Sequence, residues 1–461
     1  MRTPFRLLLL VLLASLACNA LGSPAAPSPA PPPSVTPKPL PTATATPVPA
    51  AYSPPQCAPV PLATPPAATT IAVPTPAAEG NRHLPTVEQL AVLHELVAVI
   101  KDVYVYPEAL TGEWLAAVEA ARSRIESGLE TEPFYDELRD LVYALGDEHS
   151  SFESPTEVAA SEAELAGGID YVGIGALILP LPEEGRVTVL SVFADSSASY
   201  GGLEPHDSIL AVDGLPIVEN GVAHPERTRG PECSAVILTV QTPGQASREV
   251  TFVRARVTTP LPIDARLVPT SDGSRVAYLF IPTLFDQTIP RQVEQALQGF
   301  GPLDGLILDN RMNGDGSSTV TEPLLGFFTS GVLGHFVSQQ SERPLEAIAN
   351  PIHNSQDVPM VVLVAEDTVS YGEIFSGVLQ DTGRARVVGQ TTLGNVEALH
   401  GYSFQDGSRV WIAEEVFDPL NSNADWEAQG IAPEIEVIAD WSTFTFETDP
   451  AIAAALDLLA R

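Results

Sequence analysis

Ser370 stands where a serine can act as a nucleophile. The run Met360-Val361-Val362-Leu363-Val364 reads as a buried strand, and a helix is expected over about residues 373–382. A turn from a buried strand into a helix presents Oγ outward. The helix N-terminus adds partial positive charge and free N–H groups that suit an oxyanion. The same placement also fits an ordinary helix N-cap, the commoner role for a serine. A second turn, Asn313-Gly314-Asp315-Gly316, follows another apolar strand and could expose backbone N–H groups to the same cleft. A hydroxyl near its free pKa is a weak nucleophile and needs a base poised near neutrality. Lys38 and Lys101 are the only lysines, so no lysine base exists in the C-terminal three quarters. Histidine is the natural alternative, and a carboxylate beside it would orient the ring and stabilise its cation.

Three kinds of element must position these residues. Residues 83–150 carry helical spacing, with Val87, Leu90, Ala91, His94, Val97 and Ile100 three and four apart. Two further helices are expected near 112–128 and 133–145. Residues 165–257 change to strand alternation, with apolar runs after Gly173-Ile174-Gly175, at 187–192, 236–240 and 249–254. This order resembles a PDZ domain, with Gly173, Ile174 and Gly175 in place of its carboxylate-binding loop. The resemblance implies capture of a peptide as an added strand, its C-terminal carboxylate held on backbone N–H groups. Residues 274–440 alternate strands and helices, the pattern of an α/β unit.

Five landmarks then fall in order. They are Leu145-Gly146-Asp147-Glu148-His149-Ser150-Ser151, Asp309-Asn310-Arg311-Met312-Asn313-Gly314-Asp315-Gly316, Ser370-Tyr371-Gly372-Glu373-Ile374, Gly389-Gln390-Thr391-Thr392-Leu393-Gly394 and Gly430-Ile431-Ala432-Pro433-Glu434. They resemble the carboxy-terminal processing (tail-specific) protease family. The resemblance implies a multidomain α/β protein: an N-terminal helical domain (83–160), a PDZ-like β-rich domain (161–258), a crotonase/ClpP-like α/β catalytic core (259–442) and a C-terminal helix (443–461). It also implies a serine endopeptidase that needs no cofactor and acts on polypeptides through their C-termini. In the bacterial branch the base is a lysine, but the matching position here is Asn395. The tricorn-like branch uses a histidine from the helical region and a glutamate before the Gly-Ile-x-Pro segment, which match His149 and Glu427. The implied site is therefore Ser370 as nucleophile, His149 as general base and acid, and Glu427 as its orienter. The N–H groups of Gly316 and Tyr371 would form the oxyanion hole. Glu148 and Asp315 depart from the family pattern, and with Asn395 they leave open a catalytically inactive peptide-binding protein on the same fold. No histidine and carboxylate set has short metal-ligand spacing.

The N-terminus and the charge narrow the setting. Arg2 and Arg6 precede an apolar run at residues 7–14, followed by small residues, so residues 1–22 read as an export signal. Cys18 after Ala17 resembles a lipoprotein cleavage site, and plain secretion is the alternative. Residues 23–82 read as a disordered stalk, 19 prolines falling between residues 23 and 80. Cys57 within it is expected to be a stray thiol, because three cysteines make no disulfide framework. With 23 basic against 58 acidic residues the net charge is −35, which disfavours nucleic acid and anionic lipid as partners. Membrane contact is expected only through a lipid on Cys18.

Overall fold

Leucine and valine recur every three to four residues along α1 (Thr86–Val103), and the helix buries Val92, Leu93, Leu96 and Ile100. That stripe lies one step round from the expected one, since Val87 is 73% exposed. The reason is packing: the branched side chains at 92, 93, 96 and 100 meet Trp114 and Val118 of α2 (Gly112–Glu126) and Phe134 and Leu138 of α3 (Thr131–Tyr143) in one core. After α3 the chain passes His149 and enters the short strand β1 (Ser151–Glu153).

The computed structural model describes Cys57 and residues 84–147, 149–167, 171–314 and 316–460. The expected export signal, Cys18, nearly all of the stalk, Glu148 and Asp315 lie outside the described residues.

A β-rich unit follows, in which β2 (Ala176–Leu181), β3 (Arg186–Val192), β4 (Ser208–Val212), β5 (Ala235–Gln241) and β6 (Arg248–Val253) form an antiparallel sheet in the order β6-β5-β4-β3-β2. It has its own core of Val187, Val189, Ile209, Val236, Leu238 and Phe252. Cys57 is not a stray thiol: it is disulfide-bonded to Cys233, just before β5, across 176 residues of sequence. Local reading could not pair a cysteine in a proline-rich stretch with one in a distant turn.

The α/β region alternates as its apolar runs require. It holds β7 (Asp264–Val268), β8 (Val276–Phe280), α4 (Ile289–Phe300), β9 (Gly305–Asp309) and α5 (Ser318–Phe328). Then come β10 (Gly331–Val337), β11 (Glu342–Ala347), β12 (Met360–Val364), α6 (Tyr371–Asp381) and β13 (Arg386–Gly389). The chain closes with β14 (Ala398–Ser403), β15 (Arg409–Pro419), β16 (Ile435–Glu436) and α7 (Pro450–Leu459). The central sheet runs β7-β8-β9-β12-β13-β16, parallel from β8 onward with β7 antiparallel at its edge. Strands β8, β9 and β12 are buried at every residue, as strands covered on both faces must be.

A second, antiparallel sheet joins the helical region to this core. Strand β15 pairs with β1 at Ser151↔Trp411, with β14 at Ala398↔Glu415, and with β10 further along. Both β1 and β14 run antiparallel to β15, so they start at the same end of it. That register brings the residues just before each strand, His149 and Glu397, to one place.

Candidate active site

Parallel sheets leave a crevice outside the carboxyl ends of their strands, and three such ends meet here. Strand β9 leads into Asn310–Gly316, β12 into Ser370, and β13 into residues 390–397. The glycine-rich turn is anchored from below by a buried ion network: Arg311 pairs with Asp309 at 2.6 Å and with Asp449, the N-cap of α7, at 2.6 Å. Asn310 Nδ2 donates to Gly372 O and to Ser376 Oγ, both at 2.8 Å, which ties this turn to α6. Val369 N–H donates to Asn313 O at 3.0 Å, closing the same contact from the other side.

Ser370 occupies the bend between β12 and α6 with φ 56° and ψ −127°. An L-residue rarely adopts this left-handed region, and such strain persists only where the surroundings over-determine it. Here the buried Glu373 carboxylate does so. It accepts from Ser370 N–H (3.2 Å), Thr392 Oγ1 (2.5 Å), Gly394 N–H (2.7 Å) and Asn395 N–H (2.8 Å). Burial pushes this carboxyl up to about 7, against the pull of those four donors. Tyr371 is the first residue of α6, so its N–H has no intrahelical acceptor. Gly316 lies against it: a Cβ on Gly316 would stand 2.8 Å from Tyr371 Cβ and 2.6 Å from Leu284 Cβ. The bridge that holds Gly316 beside Leu284 uses Ser317 N–H, which leaves the Gly316 N–H outside it.

His149 sits at the far end of segment 392–397. Asp147 shapes its loop by accepting from His149 N–H (3.0 Å), Ser150 N–H (2.9 Å) and Ser150 Oγ (2.5 Å). Ser150 Oγ in turn accepts from Ala413 N–H on β15. The imidazole Nδ1 contacts Glu397 Oε2, and both side chains are almost wholly buried. The Tyr106 hydroxyl donates to Glu397 Oε1 at 2.9 Å. Glu397, not Glu427, is thus the carboxylate on the ring. Glu427, the expected orienter, stands next to this contact: its Oε2 accepts Val396 N–H at 2.7 Å and its carboxyl lies beside that of Glu397. Gly394 (φ +84°) packs so closely that a Cβ there would stand 2.5 Å from Glu427 O.

The pieces thus form a chain from Ser370 through Glu373, Asn395, Val396 and Glu397 to His149. No hydrogen bond joins Ser370 Oγ to His149 directly among the described residues. Asn395 contributes its backbone N–H to Glu373 and no charge. His149, Glu397 and Glu427 are the group among the described residues whose ligand atoms, within 4.8 Å of one another, could surround a metal ion. Glu397 was missed from sequence, although an acid between Val396 and Ala398 at a strand start was a signal of a buried carboxylate. Glu373 was quoted within a landmark without a role.

Gly173, Ile174 and Gly175 lie away from this cleft, at the entry to β2. Ile174 O accepts from Ala198 N–H, and Gly175 O accepts from Phe193 N–H and Ser196 Oγ. Gly175 has φ +85°, and a Cβ there would stand 2.3 Å from Ser196 Cβ, so the loop needs glycine.

Residues 275–437 match the model of peptidase family S41. The chain is 27% identical over 357 residues to the carboxyl-terminal-processing protease of Synechocystis sp., covering 75% of this chain and 81% of that protein. Over these residues the chain is similar to peptidase family S41. That similarity supports a serine peptidase. A second relative, the carboxy-terminal processing protease CtpB of Bacillus subtilis, is 25% identical over 271 residues, 58% of this chain and 55% of that one. The fold agrees with two solved structures. The photosystem II D1 C-terminal processing protease has a TM-score of 0.51 at 22% identity, covering 76% of this chain and 93% of that one. An S41 protease structure from Bacteroides fragilis has a TM-score of 0.58 at 15% identity, covering 79% and 97%. Both share the multidomain α/β architecture.

Proposed function

We propose that the chain is an exported serine endopeptidase of the tail-specific type, with Ser370 as nucleophile, His149 as base and Glu397 as its orienter. The observation that carries this reading is the strained backbone of Ser370 at a strand-to-helix bend, beside the Gly316 turn and the start of α6 at Tyr371. With Nδ1 turned to Glu397, His149 keeps Nε2 for the Ser370 proton. Oγ attacks the scissile carbonyl carbon as its proton passes to His149. The oxyanion rests on the N–H groups of Gly316 and Tyr371. His149 then protonates the departing amine, and a water activated by the same ring releases the acyl group. In unliganded structures such catalytic hydrogen bonds are often long and tighten only with substrate.

A fluorophosphonate probe tests the assignment, since it labels only an activated serine. Wild type should be labelled at Ser370 and Ser370→Ala should not; an unlabelled, folded wild type would make the chain a peptide-binding protein.

Substrate polypeptides would engage the Gly173–Gly175 loop of a PDZ-like unit through their C-termini. Peptides with a free carboxylate should then bind about tenfold or more tightly than amidated ones, because hydrogen bonds to a charged group contribute about 1.5–3 kcal/mol. Equal titration curves would count against carboxylate capture.

Export is supported by the N-terminal pattern and by the Cys57–Cys233 disulfide, a bond that persists in oxidising compartments. No helix of the described residues is long and apolar enough to cross a membrane.

A further inference from the structure

One guanidinium beneath the glycine-rich turn is held by two buried carboxylates. Arg311 donates from Nε to Asp309 Oδ1 at 2.9 Å and from Nη2 to Asp309 Oδ2 at 2.6 Å. Its other edge donates from Nη2 to Asp449 Oδ2 at 2.6 Å and from Nη1 to Asp449 Oδ1 at 3.3 Å. Both acid side chains are fully buried, and that of Arg311 is 6% exposed. Trp441 and Phe444 cover the guanidinium, with ring centroids 5.2 and 5.4 Å from its central carbon. The β-rich unit grips the same segment: Trp441 Nε1 donates to Val189 O at 3.0 Å, and His206 Nδ1 donates to Trp441 O at 2.9 Å. Asp449 lies 138 residues after Arg311 and outside the stretch that matches family S41.

Stability alone does not require the second acid. Burying three charges costs more desolvation than a packed apolar trio, and Asp309 by itself already neutralises Arg311. Carboxylates on two edges add direction, because a planar fork bound along both edges is fixed in rotation. We propose that Asp449 is a positioning residue for the oxyanion hole: through Arg311 it fixes the turn that leads to Gly316, and so the place of the Gly316 N–H relative to Ser370. The inference rests on the reading of that N–H as an oxyanion donor. Asn310 and Asn313 tie the turn to α6 and to Val369. Arg311, which leaves the turn between those two asparagines, is its tie to α7. That helix packs on β9 and β12, the strands that end at the turn and before Ser370, and is held there by Ile452, Ala455 and Leu458. A turn held from both helices keeps its donor in place before charge develops, which is how an oxyanion hole gains its effect.

Asp449→Asn separates this role from helix capping. Asparagine caps a helix as well as aspartate does, so its Oδ1 can still accept the Ala451 N–H, while its Nδ2 meets Arg311 donor against donor. Asp449→Asn should lower kcat and the rate of fluorophosphonate labelling together by ~10-fold to ~10²-fold, with KM unchanged. Leu458→Ala is the control, a cavity in the same helix that leaves Asp449 in place. It should lower Tm at least as far, yet keep kcat within about twofold of wild type. Hydrogen exchange reads the turn without turnover. The bonded amides of Asn313 and Val369 should lose protection in Asp449→Asn and keep it in Leu458→Ala, at a temperature where both variants are folded. A folded Asp449→Asn with wild-type kcat, or a Leu458→Ala whose kcat falls in step with its stability, would overturn the proposal. A wild type that the probe leaves unlabelled would overturn the peptidase reading instead. In that case lost protection in Asp449→Asn retains the tie between Asp449 and the turn, and unchanged protection removes it as well.

Discussion

Replacing His149 by alanine should lower peptidase kcat by at least ~10², and up to ~10⁴, with little change in KM. The size of the effect follows from the absence of any substitute. No lysine lies C-terminal of Lys101, and Asn395 offers the cleft only an amide and a backbone N–H. Ser370 would keep its strained presentation and its oxyanion donors, so some residual rate should survive. The fold should survive as well, because the loop is pinned by Asp147 and by the Ser150 bond to Ala413 rather than by the ring. Steady-state kinetics on a folded variant decide the matter, and an unchanged kcat would remove His149 from the mechanism.

Gly316→Ala should be nearly as damaging, with kcat down by ~10²–10³ while peptide binding at the β-rich unit is unaffected. The added methyl would meet Leu284 Cβ at 2.6 Å and Tyr371 Cβ at 2.8 Å, separations that real Cβ atoms do not show. Neither neighbour can yield cheaply. Leu284 is fully buried in the main core, and Tyr371 begins the helix that carries the nucleophile. The turn must therefore move away from α6, and the Gly316 N–H moves with it, off the position where the oxyanion develops. The loss should appear in kcat and in the rate of fluorophosphonate labelling, since both form a charge at the same oxygen. A folded Gly316→Ala variant with normal labelling would place the oxyanion hole elsewhere.

Much of this site was legible because it depends on local chemistry. An apolar run ending in a turn before a helix is a feature of a dozen consecutive residues, and it located Ser370. The same logic located the glycine-rich turn after β9. The absence of lysine is a matter of counting, and it directed attention to histidine. The helices at 86–143 followed from spacing, but the face of α1 did not, because which stripe is buried depends on what α2 and α3 present to it.

The tertiary structure alone decided which carboxylate touches His149. Glu397 and His149 are 248 residues apart, and only the antiparallel pairing of β1 and β14 with β15 sets them side by side. Register is a property of strand pairs, so no single segment encodes it. The Cys57–Cys233 bond and the four donors on Glu373 are of the same kind. The amino-acid sequence by itself determined where the proposed nucleophile stands, the turns that frame it and the lack of any lysine after Lys101. Pairing between distant segments determined the partner of His149 and the buried acid beside it, since long-range contacts arise from the packing of whole elements rather than from the propensities of any one.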